Sequence, residues 1–133
     1  MELVLDSNIL FAALIKDSLT CELLFENGLK LYAPDFMMDE LRKYEELILR
    51  KTHRSEGEHI KILHSLKDVI ITMPKEEFSE FLEEAKMISP DRFDFMFFAL
   101  ALKLKCGIWS NDKKLKEQNK VNIYSTKDII ELL

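Results

Sequence analysis

The chain has 133 residues, 47% of them apolar and 32% charged, and a formal net charge of −5. That length suits one domain over 1–133 with a real core, folding burying roughly two thirds of the unfolded surface. The acidic balance excludes a simple basic nucleic-acid binder but not a metal-dependent one, because bound cations would cancel the local negative field; no apolar run approaches the ~18–20 residues that cross a bilayer.

The opening MELVLDSNIL has neither a basic lead nor a small-residue cleavage site, so it does not read as a signal peptide. Cys21 and Cys106 are far apart in apolar helical contexts and read as buried free thiols, which fits the cytoplasm. Leu3, Val4 and Leu5 in succession predict a short strand over 2–6, buried on both faces. Helices follow over 7–16 and 18–27, the second stopping at Gly28. Residues 30–33 read as a second strand. Pro34-Asp35 then opens a long helix to about residue 53, with Phe36, Leu41, Tyr44 and Ile48 on its apolar face. Ser55 and Glu58 have capping-box spacing for a helix to about residue 67.

A β-branched strand is expected over 69–72 and a helix over 76–87. Ser89-Pro90-Asp91 breaks the chain, and Asp94 starts an apolar helix that ends at Cys106-Gly107. A strand over 108–110, a lysine-rich helix, a strand over 122–124 and a helix capped by Thr126 complete the reading. Strands alternating with helices mean a parallel sheet covered on both faces, with sites at the carboxyl ends of its strands.

Chain direction brings four distant acids to that rim. Asp6 ends the first strand and Asp112 lies just past the fourth. Glu40 rides the helix leaving the second strand, and Asp94 heads the helix that feeds the fourth. Singly, the aspartates read as N-caps and Glu40 as a solvated residue. Together they do not. At roughly 5 Å and an effective dielectric of ~20 each close pair repels by about 3 kcal/mol, so such a cluster calls for protons or a divalent metal. Metal on carboxylates implies phosphodiester chemistry. Asp35 and Asp128 read as helix-start residues and Asp39 as solvated; Asp91 is the rival to Asp94 and could assist it.

These segments resemble a PIN domain, a family of metal-dependent ribonucleases, in its VapC-like form. Val4-Leu5-Asp6-Ser7-Asn8 resembles the family's opening, a hydrophobic strand ending in Asp. PDFMMDEL over 34–41 resembles the segment of the second acid, with Glu40 in its place. DFMFFALAL from Asp94 resembles the Asp-headed helix, and WSNDKKL from Trp109 resembles the closing Ser/Thr-x-Asp turn, which makes Asp112 the fourth acid and Ser110 the hydroxyl. The resemblance implies a three-layer α/β/α sandwich around a parallel sheet of about five strands in the order 3-2-1-4-5, often in a homodimer. Phe95, Met96, Phe97 and Phe98 are bulkier than in many relatives and suit either extra core or an apolar dimer contact.

On this reading Mg²⁺ or Mn²⁺ binds Asp6, Asp94 and Asp112, with Glu40 as a direct or water-mediated ligand. Ser7, Asn8 and Ser110, with Asp91, orient carboxylates or waters. Hydrolysis of RNA should leave a 5′-phosphate and a 3′-hydroxyl. Arg42, Lys43, Lys113 and Lys114 either grip the RNA backbone or form a solvated face, as Glu45 and Glu46 with Arg50 do. His53, His59 and His64 show no metal-ligand spacing and are expected at the surface. The toxin of a toxin–antitoxin pair, with a protein antitoxin as partner, and an RNA-processing nuclease both fit.

Two other classes compete. One is a non-catalytic PIN-like binding module. The other is a magnesium-dependent phosphohydrolase or phosphoacceptor domain. A phosphatase of the haloacid-dehalogenase type wants an acid two residues after Asp6, where Asn8 stands, and a receiver domain wants an Asp ending the third strand, which has none.

Overall fold

In a computed structural model, which describes residues 1–16 and 18–133, five parallel strands form one sheet in the order β3-β2-β1-β4-β5. β1 (Glu2–Leu5) is central, flanked by β2 (Lys30–Pro34) and β4 (Gly107–Trp109); β3 (Ile70–Met73) and β5 (Ile123–Tyr124) form the edges. Leu3, Val4 and Leu5 are all fully buried, as a strand covered on both faces requires. Register sets Leu3 beside Leu31 on one side and Gly107 on the other. Gly107 is needed for close approach: a Cβ there would meet Tyr124 Cε2 at 2.6 Å and the Asn122 carbonyl at 2.8 Å.

Helices cover the sheet to give the three-layer α/β/α arrangement. α1 (Ser7–Ile15) and α2 (Ser18–Leu24) join β1 to β2. α3 (Phe36–Lys43), α4 (Glu45–Thr52) and α5 (Glu56–Val69) join β2 to β3, and α6 (Leu82–Ile88) and α7 (Phe95–Leu104) join β3 to β4. α8 (Thr126–Leu132) closes the chain. α7 is apolar nearly all round, and it packs against α6 and the first, second and fourth strands. Phe97 and Phe98 are core residues, Phe97 meeting Phe36 edge-on at 5.8 Å, and Phe95 and Met96 pack half-buried against that core.

Several local expectations are corrected. The long helix to residue 53 is two helices, broken at Tyr44, whose ψ of 14° leaves the helical range. Its ring packs edge-on against Phe11 at 5.7 Å, and α4 contacts α1. α5 runs on through Val69, so β3 starts one residue later than its β-branched pattern suggests. The stretch after β3 opens with two 3₁₀ turns, Lys75–Glu77 and Ser79–Phe81, because Phe78 between them turns fully into the core. The lysine-rich helix is likewise a 3₁₀ turn, Lys113–Glu117. Ser125, not Thr126, caps α8, through a reciprocal box with Asp128. The expected box at Ser55 and Glu58 is present. Cys21 and Cys106 are free but only half-buried, and burial pushes the Cys106 thiol up to about 11. His53 and His64 are exposed, whereas His59, expected at the surface, is fully buried. Among the described residues no helix is long and apolar enough to cross a membrane.

Candidate active site

The carboxyl ends of β1 and β4 build the floor of the site. The Asp6 N–H donates to the Trp109 carbonyl at 3.1 Å, continuing the ladder one residue past β1. The Ser110 N–H does the same to the Tyr124 carbonyl at 3.0 Å. These bonds set Ser110 opposite Asp6, and its Oγ donates to Asp6 Oδ2 at 2.6 Å with both residues 1% exposed. The same Oγ accepts the Asp112 N–H at 3.1 Å. One hydroxyl thus bridges the two acids that end neighbouring strands. Ser7 Oγ reaches Asp6 Oδ1 at 3.5 Å, and the Asn8 backbone N–H also favours its ionised form.

The wall comes from the turn before α7. Ser89 Oγ donates to the Asp91 carbonyl at 2.5 Å, and the Phe93 N–H donates to Asp91 Oδ1 at 2.8 Å. The Asp94 N–H returns to the Asp91 carbonyl at 3.1 Å. This turn brings Asp91 and Asp94 together against Asp112: one carboxylate oxygen from each lies within 4.8 Å of the others. Asp94 makes no side-chain cap bond to its own helix, whereas Asp112 Oδ1 accepts the Lys114 N–H at 3.0 Å. Capping therefore accounts for Asp112 and leaves Asp94 without that role.

Electrostatics follow the geometry. Burial raises the Asp6 carboxyl above its ordinary value, bonds from Ser110 and Asn8 pull it back, and the Asp112 charge raises it again. Asp94 is pushed up to about 6, first by burial and then by the charges of Asp6, Asp91 and Asp112, with Lys114 opposing them. Asp112 thus acts on both Asp6 and Asp94, and Asp6 and Asp91 act on Asp94 as well.

Glu40 is half-buried on α3; like Asp6 it lies outside the group of three carboxylates that meet within 4.8 Å, and unlike Asp6 it is not among the charges raising Asp94. Of the basic candidates, Lys114 acts on Asp94, while Lys113 is exposed. Arg42 faces Asp39 at 3.8 Å, and the Lys43 ammonium sits 5.4 Å from the Tyr44 ring centroid. A cleft of about 530 Å³ beside the acids is lined by Asn8, Phe11, Ile15, Lys51, Asn111 and Asp112.

Sequence reasoning missed the brace behind Asp112. The Asn111 amide donates to Thr126 Oγ1 at 3.0 Å and its oxygen accepts the Thr126 N–H at 2.8 Å. The Trp109 indole N–H donates to the same Thr126 oxygen at 3.1 Å. The turn bearing Ser110 and Asp112 is thereby fastened to the start of α8. No sequence signal pairs residues this far apart, although an asparagine inside a Ser-x-Asp turn invites the question of its partner.

A profile of the PIN domain matches residues 4–128. The chain belongs to the PIN-domain family. Its place there agrees with the observed sheet order and with acids gathered at the carboxyl edge of the sheet. Among solved structures, this PIN domain is similar in fold to a chain of the crystal structure of VapBC2 from Rickettsia felis bound to a DNA fragment from its promoter. The TM-score is 0.63 at 16% sequence identity, over 94% of this chain and 98% of that one. No curated protein sequence matches the PIN domain described here.

Proposed function

We propose that this chain, acting as a single nuclease unit over 1–133, is a Mg²⁺- or Mn²⁺-dependent endoribonuclease. The observation that carries the reading is the meeting of Asp91, Asp94 and Asp112 within 4.8 Å, beside a buried Asp6 and with Asp94 raised to about 6. Such a group binds a proton or a cation in preference to standing bare. Its donors are all carboxylate oxygens, which suits a hard divalent ion and not a soft one. Asp6, Asp94 and Asp112 would hold the ion, with Asp91 beside them and Glu40 reaching it, if at all, through water. Bound there, the ion would supply a water of lowered pKa and charge stabilisation at the phosphate.

The chain's own groups do the positioning. Ser110 holds Asp6 by its Oδ2 and leaves Oδ1 toward Ser7. The same hydroxyl accepts from the backbone of Asp112, so one group sets the spacing of both acids. Lys114 supplies positive charge next to Asp94, where a backbone phosphate would approach; Lys113, Arg42 and Lys43 are further candidates for the RNA path. The fold likeness to a chain of the VapBC2 complex supports the toxin of a toxin–antitoxin pair, with a protein antitoxin as partner. A second copy of the chain as partner and a cytoplasmic location belong to the same proposal and rest on the sequence resemblance. An RNA-processing nuclease is the other form of the same activity.

The test is cleavage of RNA with manganese. Wild type should cut and leave 5′-phosphate ends, and Asp6→Asn and Asp94→Asn should not, with the fold kept. Cleavage that persists in excess chelator would defeat the metal mechanism. Manganese binding that is weak and unchanged by Asp112→Asn would instead favour a non-catalytic module.

A further inference from the structure

The geometry points to Phe93, with Arg92 against it, as a stacking platform for one unpaired base of the RNA whose phosphate enters the carboxylate site. Phe93 is 75% exposed, although it stands between Asp91 and Asp94, two of the three clustered acids. A ring left in water forgoes the burial that makes phenylalanine a core residue. Nothing in the turn asks for it. The bonds that shape the turn use the Phe93 backbone N–H, Asp91 and Ser89, and a small polar residue at 93 would serve them equally.

The ring is also held ready. Its backbone N–H is fixed to Asp91 Oδ1 at 2.8 Å, and the Arg92 guanidinium carbon lies 4.9 Å from its centroid. A flat aromatic face with a guanidinium beside it is the pair that takes a nucleobase and its phosphate. Its immediate chain neighbours, Asp91, Arg92 and Asp94, are charged. An apolar protein partner would want a continuous apolar patch, whereas a single base needs one ring. Because Asp91 and Asp94 flank the ring, a base stacked on it belongs to a nucleotide close to the scissile phosphate. The platform would thus select unpaired over duplex RNA.

This inference rests on the ribonuclease reading, and the experiment separates the two. Single-stranded RNA oligonucleotides carrying 2-aminopurine, or one abasic position in turn, are cleaved in manganese by wild type, Phe93→Ala and Phe93→Trp. Phe93→Ala should raise KM about tenfold, within the roughly 5- to 150-fold spanned by loss of one base stack, with kcat nearly kept. Phe93→Trp should restore wild-type KM. One abasic position should weaken wild type by a similar factor and leave Phe93→Ala indifferent, and 2-aminopurine there should be quenched only with an aromatic at 93. Manganese should raise the melting temperature of Phe93→Ala as it does that of wild type. If Phe93→Ala keeps wild-type KM and the wild-type abasic pattern while wild type cuts RNA, the platform is overturned and the ribonuclease stands. Loss of the manganese effect in Phe93→Ala would trace the change to the carboxylates and overturn it too. A variant that cuts normally but escapes an inhibitory protein would make Phe93 a protein contact, also against the proposal. Failure of wild type to cut any RNA in manganese would remove both readings.

Discussion

Replacing Asp94 with asparagine should stabilise the metal-free protein, and only above the pH at which Asp94 ionises. The native carboxyl is raised from its ordinary 3.8 to about 6 by burial and by Asp6, Asp91 and Asp112. A carboxyl raised in the native state contributes its stability in the protonated form, below pH ~4, and loses it as pH climbs through about 6. The full gap corresponds to a ceiling of about 3 kcal/mol. Asp94 is only half-buried and solvent screens its neighbours, so roughly 1–2 kcal/mol is the expected cost near neutrality. At this chain length that is about 3–8 °C in Tm. Thermal unfolding followed by circular dichroism in excess chelator, from pH 4 to pH 8, should show Asp94→Asn and wild type close together at the acid end and separated by that margin at the other. Manganese should reverse the order, since a ligand at a hundred times its Kd adds about 2.7 kcal/mol to the protein that binds it. A difference that does not vary with pH, or a variant less stable than wild type at pH 8 in chelator, would refute the shared-field picture of the four aspartates.

Ser110→Ala removes the 2.6 Å bond to a buried carboxylate and should cost about 1.5–3 kcal/mol in urea unfolding, together with most manganese-dependent cleavage. Gly107→Ala drives a methyl into the Tyr124 ring and the Asn122 carbonyl, so a loss of about 1–3 kcal/mol is expected; an unchanged denaturation midpoint would speak against the close β4–β5 approach. His59 is fully buried, and among the described residues neither ring nitrogen has a hydrogen-bond partner, with Glu45 3.8 Å from Nε2. His59→Leu should therefore be neutral or stabilising by up to ~2 kcal/mol in the same assay, and a loss beyond 2 kcal/mol would show that the imidazole has a partner that matters.

The strands and the convergence of Asp6, Asp94 and Asp112 were legible because both depend on chain direction and on apolar runs, which sequence displays openly. An acid placed after a parallel strand or at the head of the next crossover has nowhere to go but the same rim. What failed was local. The break at Tyr44 and the turns around Phe78 come from rings finding contacts distant in sequence, which periodicity does not register. His59 was misplaced because a lone polar residue in a mixed helix looks solvated until its neighbours are known. Asp91 was read as the rival to Asp94 and as one that could assist it, and the turn it forms sets its carboxylate beside those of Asp94 and Asp112.

Thr126 has a consequence out of proportion to its size. One side-chain oxygen receives both the Trp109 indole and the Asn111 amide, so the loop carrying a ligand candidate leans on a helix outside the carboxylate group. Peeling that helix away would remove three of the bonds that hold the 109–112 turn and leave Asp112 to its ties with Ser110 and Lys114. The start of α8 is thus a remote handle on where the Asp112 carboxylate sits.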